Sequence, residues 1–487
     1  MPLRIRTARA SFESRASKGD ARPDNRLAIM DHGLFAQHRA IGRSVVIQVV
    51  WVYEHAIDFD GVRRFKHNLG YGLLGRRIER SRLIARHRWV SDRGPADIDI
   101  AECARPRAEL SDWADERAQL PIDLEGGPGW HVGVLPLTDG STAVSLVTSH
   151  YLIDGFGLAL TIAEAVLENS RDLGYPPPRS RNRLRAVVQR ARQTAQDAPE
   201  VARALGAAAR LARGRGRDGA PSPAPRPVAI GGGDGDGDGD GDGDGDEIVV
   251  VPVVTTHIDV GDWDARAKAL GGTSETLLAG LAAKLGERMG RRRASDGAVT
   301  LLLPMSERTE SDTRAVAVSY ARVSVDPTQV TTDLRDARAA IKQALTTLRE
   351  TPDEDERQLV WLTPLAPKWA LKRLADAAVT DPDRPVFCSN LRDLGPMVFA
   401  LAGSEAEYAT ISAHLYPLHL IRVIAQQVTR QWLERADGQL TVQSWRIGDK
   451  IGITIEAYQP GADNTKPALR ELAARTLAEF GLTGEME

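Results

Sequence analysis

With 487 residues the chain is too long for one ordinary domain and suits two lobes of roughly 200 residues each, plus extensions. Its 63 Lys and Arg against 66 Asp and Glu leave a net charge of −3, so the molecule as a whole does not read as a nucleic-acid binder and any basic surface is local. Two cysteines, Cys103 and Cys388, are too few for a disulfide framework or a thiolate metal site and favour a reducing, cytoplasmic compartment.

Residues 1–33 open with MPLRIRTARASFESRASKGDARPDNR, which is basic and polar and lacks the apolar stretch of a secretory signal. They read as a disordered lead-in, with an Arg- and Ser-rich targeting segment as the alternative. The first lobe is expected over 34–173. SVVIQVVWVYEHA from Ser44 is rich in β-branched residues, is interrupted by Gln48 and is too short to span a bilayer, so it reads as a buried strand of a soluble protein. Asp58 and Asp60 can cap a helix that begins near Gly61. Two β-rich runs flank Asp139-Gly140, a hairpin signal because that turn tolerates positive φ. FGLALTIAEAVLENSRDLG is then apolar at helical spacing and stops at Gly174, ahead of three prolines.

Residues 174–247 differ in composition. Arg179–Arg217 holds eleven arginines against two acids, Asp197 and Glu200, with Val201, Leu205, Ala208 and Leu211 on one helical face. The segment reads either as a helix lying on an anionic membrane surface or as a solvated helix at the rim of the lobe. Beyond it Asp234 through Asp246 alternate with glycine. Chain entropy and repulsion among seven like charges predict a disordered linker, and the spacing matches no calcium-binding repeat or loop.

The second lobe is expected over 248–487. EIVVVPVVTTHIDVGDWDARAKAL passes from strand to helix, as the first lobe does after Ser44. VTLLLP and AVAVSYARVSV follow as strands, then a helix, the run FCSNLRDLGP, a hairpin around Gly448-Asp449 and a terminal helix from Lys466. Strands and helices mix without regular βαβ alternation, which predicts α/β lobes with mixed sheets.

No phosphate-binding G-x-x-x-x-G-K loop, G-x-S-x-G elbow or H-E-x-x-H pair occurs, and the Gly70/Gly72/Gly75 match follows a predicted helix, so it reads as a turn. The residues point instead to chemistry without a metal. In Ser149-His150-Tyr151-Leu152-Ile153-Asp154-Gly155 a histidine stands where a strand gives way to a helix. Its imidazole can face a cleft and take a proton from a hydroxyl or amine at neutral pH. Asp154 can turn back to fix the loop by pairing with an arginine, and Gly155 permits close approach. The same two residues also suit a structural histidine. The nine other histidines, His32, His38, His55, His67, His87, His131, His257, His414 and His419, read as surface or packed residues.

SHYLIDG resembles the H-H-x-x-x-D-G motif of the chloramphenicol-acetyltransferase-like superfamily. That group includes nonribosomal-peptide condensation domains, polyketide-associated acyltransferases and bacterial wax ester synthase/diacylglycerol acyltransferases. The last is the nearest, on several segments in the expected order: LPIDLEGGPGWHVGVLPLTDG with Asp123, Pro128 and Trp130, VTLLLPMSER with Pro304 and Ser306, and SNLRDLGP with Ser389, Asn390, Gly395 and Pro396. Two departures stand out. Ser149 replaces the first histidine of the pair, and SNLRDLGP carries two extra residues.

The resemblance implies two chloramphenicol-acetyltransferase-like lobes, joined by the Gly-Asp linker, around a tunnel centred on His150. It implies His150 as general base, Asp154 as a structural loop residue, Gly155 as room for the donor thioester and Ser149 as support. Ser389 or Asn390 would stabilise the oxyanion. Acyl-CoA would be the co-substrate, diacylglycerol or a fatty alcohol the acceptor, with no bound cofactor and no metal. The Arg179–Arg217 segment would then touch an inner membrane or lipid droplet, or attract the phosphates of coenzyme A. A condensation-type enzyme using a carrier-bound thioester, and a non-catalytic member acting as a binding subunit, are the alternatives; Ser149 and the stretched SNLRDLGP favour the second of these.

Overall fold

The structure is a computed structural model that describes residues 25–42, 44–81, 86–180, 183–217, 247–309, 311–350, 359–367, 369–371, 373, 381–393 and 418–486. The lead-in as far as residue 24, the Gly-Asp run, Gly395, Pro396 and His414 lie outside them. In chain order the first part of the chain forms α1 (Ile29–Ile41), β1 (Ser44–Tyr53), α2 (Phe59–Leu69), β2 (Arg76–Glu79), β3 (Arg88–Ser91) and β4 (Asp99–Ile100). It continues with α3 (Leu110–Ala118), β5 (Trp130–Pro136), β6 (Thr142–Ser149), α4 (Gly155–Val166) and α5 (Arg183–Arg217). Next come β7 (Ile248–Val249), β8 (Val253–Asp259), α6 (Val260–Ala269), α7 (Ser274–Arg288), β9 (Val299–Ser306), β10 (Val318–Val325) and α8 (Arg335–Glu350). The last elements are β11 (Val386–Asp393), β12 (Leu418–Gln426), β13 (Val428–Thr429), α9 (Arg430–Arg435), β14 (Gln439–Ile447), β15 (Lys450–Tyr458), α10 (Lys466–Glu479) and β16 (Glu485–Met486).

Two mixed sheets organise these elements. One is five-stranded in the order β12-β1-β6-β5-β4, the other seven-stranded in the order β10-β9-β11-β14-β15-β8-β16. In the first, only the β4–β5 ladder is parallel; in the second, β11 runs parallel to both β9 and β14. The β5–β6 hairpin turns at Asp139-Gly140 as expected: Gly140 has φ 89°, and the Asp139 carboxylate accepts the Ser141 N–H at 3.0 Å. Asp58 caps α2 by accepting the Asp60 N–H, so that helix starts two residues before Gly61 and Asp60 sits in its first turn.

The sheets do not respect the division of the chain at residue 248. β12 comes late in the sequence but pairs antiparallel with β1 from Ser44↔Gln426 to Trp51↔Leu418. One strand of the 248–487 stretch therefore completes the first lobe, and α1 begins inside the 1–33 stretch. This explains why β1 is buried at every position but its first: it has a strand on each side and layers on both faces. Gln48, which interrupts its apolar run, is fully satisfied. Its amide nitrogen donates to the Ala114 carbonyl and the Ser145 hydroxyl, both at 2.9 Å, and its oxygen accepts from Arg422 of β12 at 2.7 Å.

The Arg-rich segment forms one long helix, α5, with Pro199 inside it. Of the four residues on the apolar face, Val201 and Ala208 are half-buried. Ala204 and Ala207 are fully buried, whereas Leu205 is 57% exposed; the side chain of Leu211 is outside the described set. The short alanines allow close approach, and the Arg86 guanidinium pins the helix by donating to both Asp197 oxygens at 3.0 and 3.1 Å.

Candidate active site

His150 follows the last residue of β6, and its own N–H donates to the Val45 carbonyl at 2.8 Å, extending the β1–β6 ladder by one bond. Ser149 is buried. Its hydroxyl accepts the Tyr151 N–H at 3.2 Å and its carbonyl accepts from Leu152 at 3.0 Å, which closes the turn immediately after the strand. Ser149 therefore shapes the backbone beneath His150. The Tyr151 ring stacks on His38 of α1, with centroids 4.8 Å apart. Burial pushes the His150 imidazole below the ordinary histidine value, opposed by the Asp154 carboxylate and the residue's own backbone carbonyl, so the neutral form is favoured. A neutral imidazole is the form a general base needs.

Asp154 caps α4, accepting the Gly157 N–H at 2.7 Å. Its carboxylate is also gripped by Arg308, with Nε to Oδ1 at 2.9 Å and Nη2 to Oδ2 at 2.7 Å, and it accepts the Ala317 N–H at 2.9 Å. Neither partner of this pair is open to solvent, and the rest of the guanidinium donates to the carbonyls of Asp312, Arg314 and Ala315. A buried ion pair persists only when its remaining hydrogen-bonding capacity is filled in this way. The arginine with which Asp154 pairs is thus Arg308, which lies 154 residues further along the chain. It stands two residues after Ser306 in VTLLLPMSER, and that run was the one available signal for it.

Gly155 packs against the second lobe: a Cβ there would lie 3.2 Å from a methyl of Leu391 in β11. Gly157, which sequence reasoning passed over, has the tighter constraint. A Cβ at Gly157 would stand 3.0 Å from the Arg308 guanidinium carbon and from Ile153, so the small residue makes space for the ion pair.

Alternation along β11 separates Ser389 from Asn390. Val386 and Cys388 belong to the core beneath the helices of the second lobe, and alternation places Asn390 on that side. Phe387, Ser389 and Leu391 face the other way. Leu391 meets Gly155, Ser389 is buried beside Gln443, and Gln443 clasps both backbone groups of Val423 in β12 at 2.9 Å. Tyr320 of β10 joins this face, its ring 6.3 Å from that of Phe387. Burial, together with Asp154 and Tyr151, holds its phenol well above the usual value and so neutral.

Apart from His38, which meets the Tyr151 ring, the histidines with described ring or hydrogen-bond partners find them elsewhere. His32 and His87 stack on each other at 4.5 Å, with burial lowering them to about 4 and about 3. His131 accepts from Arg117 at 3.0 Å, and His257 bonds the His419 carbonyl. Among the described residues no group of three His, Cys, Asp or Glu is placed to hold a metal ion, and no helix is long and apolar enough to cross a membrane.

No protein-family profile and no curated protein sequence matches the chain. Solved structures do. The first condensation domain of the calcium-dependent antibiotic synthetase, in complex with a substrate analogue, superposes with a TM-score of 0.53 at 15% identity, over 93% of this chain and 96% of that one. The wax ester synthase/diacylglycerol acyltransferase from Marinobacter aquaeolei VT8 superposes with a TM-score of 0.52 at 15% identity, over 94% of this chain and 98% of that one. Identity this low speaks for fold alone, and coverage this complete speaks for the whole of it: the chain has the two-lobed chloramphenicol-acetyltransferase-like fold that these condensation and acyltransferase structures share.

Proposed function

We propose that the protein is an O-acyltransferase that moves a long-chain acyl group from acyl-CoA to an alcohol, with His150 as general base. The carrying observation is the seating of His150: a half-buried imidazole at a strand end, with its neutral form favoured and its loop locked by the Asp154–Arg308 pair. His150 would take the proton of the acceptor hydroxyl as that oxygen attacks the thioester carbonyl carbon. The oxyanion would be met by backbone N–H groups or by the Ser389 hydroxyl, and would collapse by breaking the C–S bond. The departing thiolate would recover the proton from His150, so no covalent enzyme intermediate and no cofactor enters. Diacylglycerol or a fatty alcohol is the acceptor class we propose. For so apolar a substrate the docking element would be α5, whose two acids are each paired, with Arg86 and Arg203, and which leaves Val188 69% exposed.

A second reading, transfer from a carrier-bound thioester, is favoured by the equally good superposition on a condensation domain. Both use His150, and the donor separates them. Thiol release from palmitoyl-CoA in the presence of diacylglycerol or a long-chain alcohol is the test. His150→Ala should reduce acceptor-dependent release by about 100-fold or more, the usual worth of a positioned general base. Release that needs a carrier-bound donor would transfer the proposal to the second reading. Wild-type protein inert with both donor types would defeat both and leave a binding subunit.

A further inference from the structure

Between Ser306 and Val318 the chain leaves the β9–β10 ladder and crosses to the first lobe as a strap. Side chains meet much of the strap's backbone. Three successive peptide N–H groups point at two carboxylates of the first lobe: Ala315 and Val316 donate to the two oxygens of Asp31 at 2.8 and 3.1 Å, and Ala317 donates to Asp154 at 2.9 Å. On the carbonyl side Arg308 takes Asp312, Arg314 and Ala315, while Arg76 takes Thr313 at 2.6 Å. Arg76 reaches the catalytic loop with its other amine, which donates to the Leu152 carbonyl at 2.9 Å, and its guanidinium lies over the Trp89 ring at 4.0 Å. Asp31, Arg76 and Asp154 are all buried. In this environment each of these bonds is strong when made and expensive when left open.

We infer that Asp31 is a positioning residue for His150, acting through this strap; the inference rests on His150 being the base. Asp31 stands in the first turn of α1, outside the catalytic loop, and fixes the strap at two adjacent peptides. The strap in turn holds both features that set the loop: Arg308 at its near end and Ala317 at its far end on Asp154, and Thr313, through Arg76, on Leu152 in its middle. A displacement of the strap therefore moves the backbone that carries His150. The grip depends on two acceptor oxygens facing two donors. Asparagine in place of Asp31 keeps the shape but turns an NH2 toward a peptide N–H.

The experiment compares wild type with Asp31→Asn in steady-state acyl transfer from palmitoyl-CoA and in amide hydrogen exchange. A kcat lower by on the order of ten-fold or more, with KM within about two-fold, is expected, because misplacement of a reacting group falls on the chemical step. Exchange should quicken at 313–317 and also across 150–157. Exchange that quickens in the strap alone, or a kcat held within two-fold, would overturn the inference. If Asp31→Asn does not fold, Arg76→Lys keeps the charge but loses the fork joining Thr313 to Leu152, and it should give the same two effects. Failure of the acyl-transfer reading looks different: wild type would show no His150-dependent turnover, while the spread of exchange from strap to loop would still decide the coupling.

Discussion

A histidine can accept a proton only while its imidazole is neutral, and burial around His150 favours that state. The sign of the pH dependence follows. The folded-state value lies below 6.5, so the base should stay deprotonated as pH falls through 6.5, and the acid limb of kcat/KM should appear below that point. Part of the opposing, pKa-raising influence comes from the Asp154 carboxylate, so Asp154→Asn should move that limb to still lower pH, whatever it does to the rate. An acid limb at or above 6.5 in wild type, or one that rises in Asp154→Asn, would speak against His150 as the titrating base. The His150–Asp154 pair was legible in the sequence because both lie in one turn and the turn's demands are local. Arg308 was not, since an arginine 154 residues away becomes a neighbour only once the lobes close. Asn390 marks the opposite failure: it is adjacent to Ser389 in sequence, but the two-residue period of a strand turns it to the far side.

Among the elements, β1 and β12 show how much a run of apolar residues leaves undecided. LHLIRVIAQ satisfies a strand in either sheet, and nothing in its hydrophobic pattern prefers the first lobe to the second. The choice is written in two polar residues, Gln48 and Arg422, opposite each other in the β1–β12 register. Arg422 is buried, donates to Gln48 and pairs with Asp115 of α3 at 2.7 Å, so the late strand is keyed to its place by buried polar partners in the first lobe. Gln48→Leu would leave the Arg422 Nε–H, the Ser145 hydroxyl and the Ala114 carbonyl without a partner in the core. Denaturant unfolding should show a loss of about 1–3 kcal/mol for this substitution. Gln48→Glu, which keeps an acceptor facing Arg422, should lose less. Equal losses from the two would mean that shape at this position matters and the key does not. The hairpin at Asp139-Gly140 and the cap at Asp58 needed no such partner and formed as the sequence predicted.

At the scale of the whole molecule, the two lobes are interlocked. β12 leaves the second half of the chain to lie against β1, the strap leaves it to be held by Asp31, Arg76 and Asp154, and both are followed by strands of the second sheet. The apolar core of the first lobe accordingly contains Ala315, Val316, Leu420, Ile421 and Trp445 from beyond residue 248. Composition predicted two lobes and a Gly-Asp linker between them, and on that basis alone the lobes would part once the linker is cut. The sheets require otherwise. A protease site placed within Gly232–Asp246 should yield two fragments that co-elute as one species at the size of the intact chain. High salt should not separate them, because the junction is a buried core and its ion pairs are shielded from solvent. Denaturant should release both fragments in a single transition, since the first sheet is incomplete without β12 and the first-lobe core is incomplete without the strap. Two fragments that elute separately after cleavage, each with its own unfolding transition, would show that β12 and the strap do not hold the lobes together in solution.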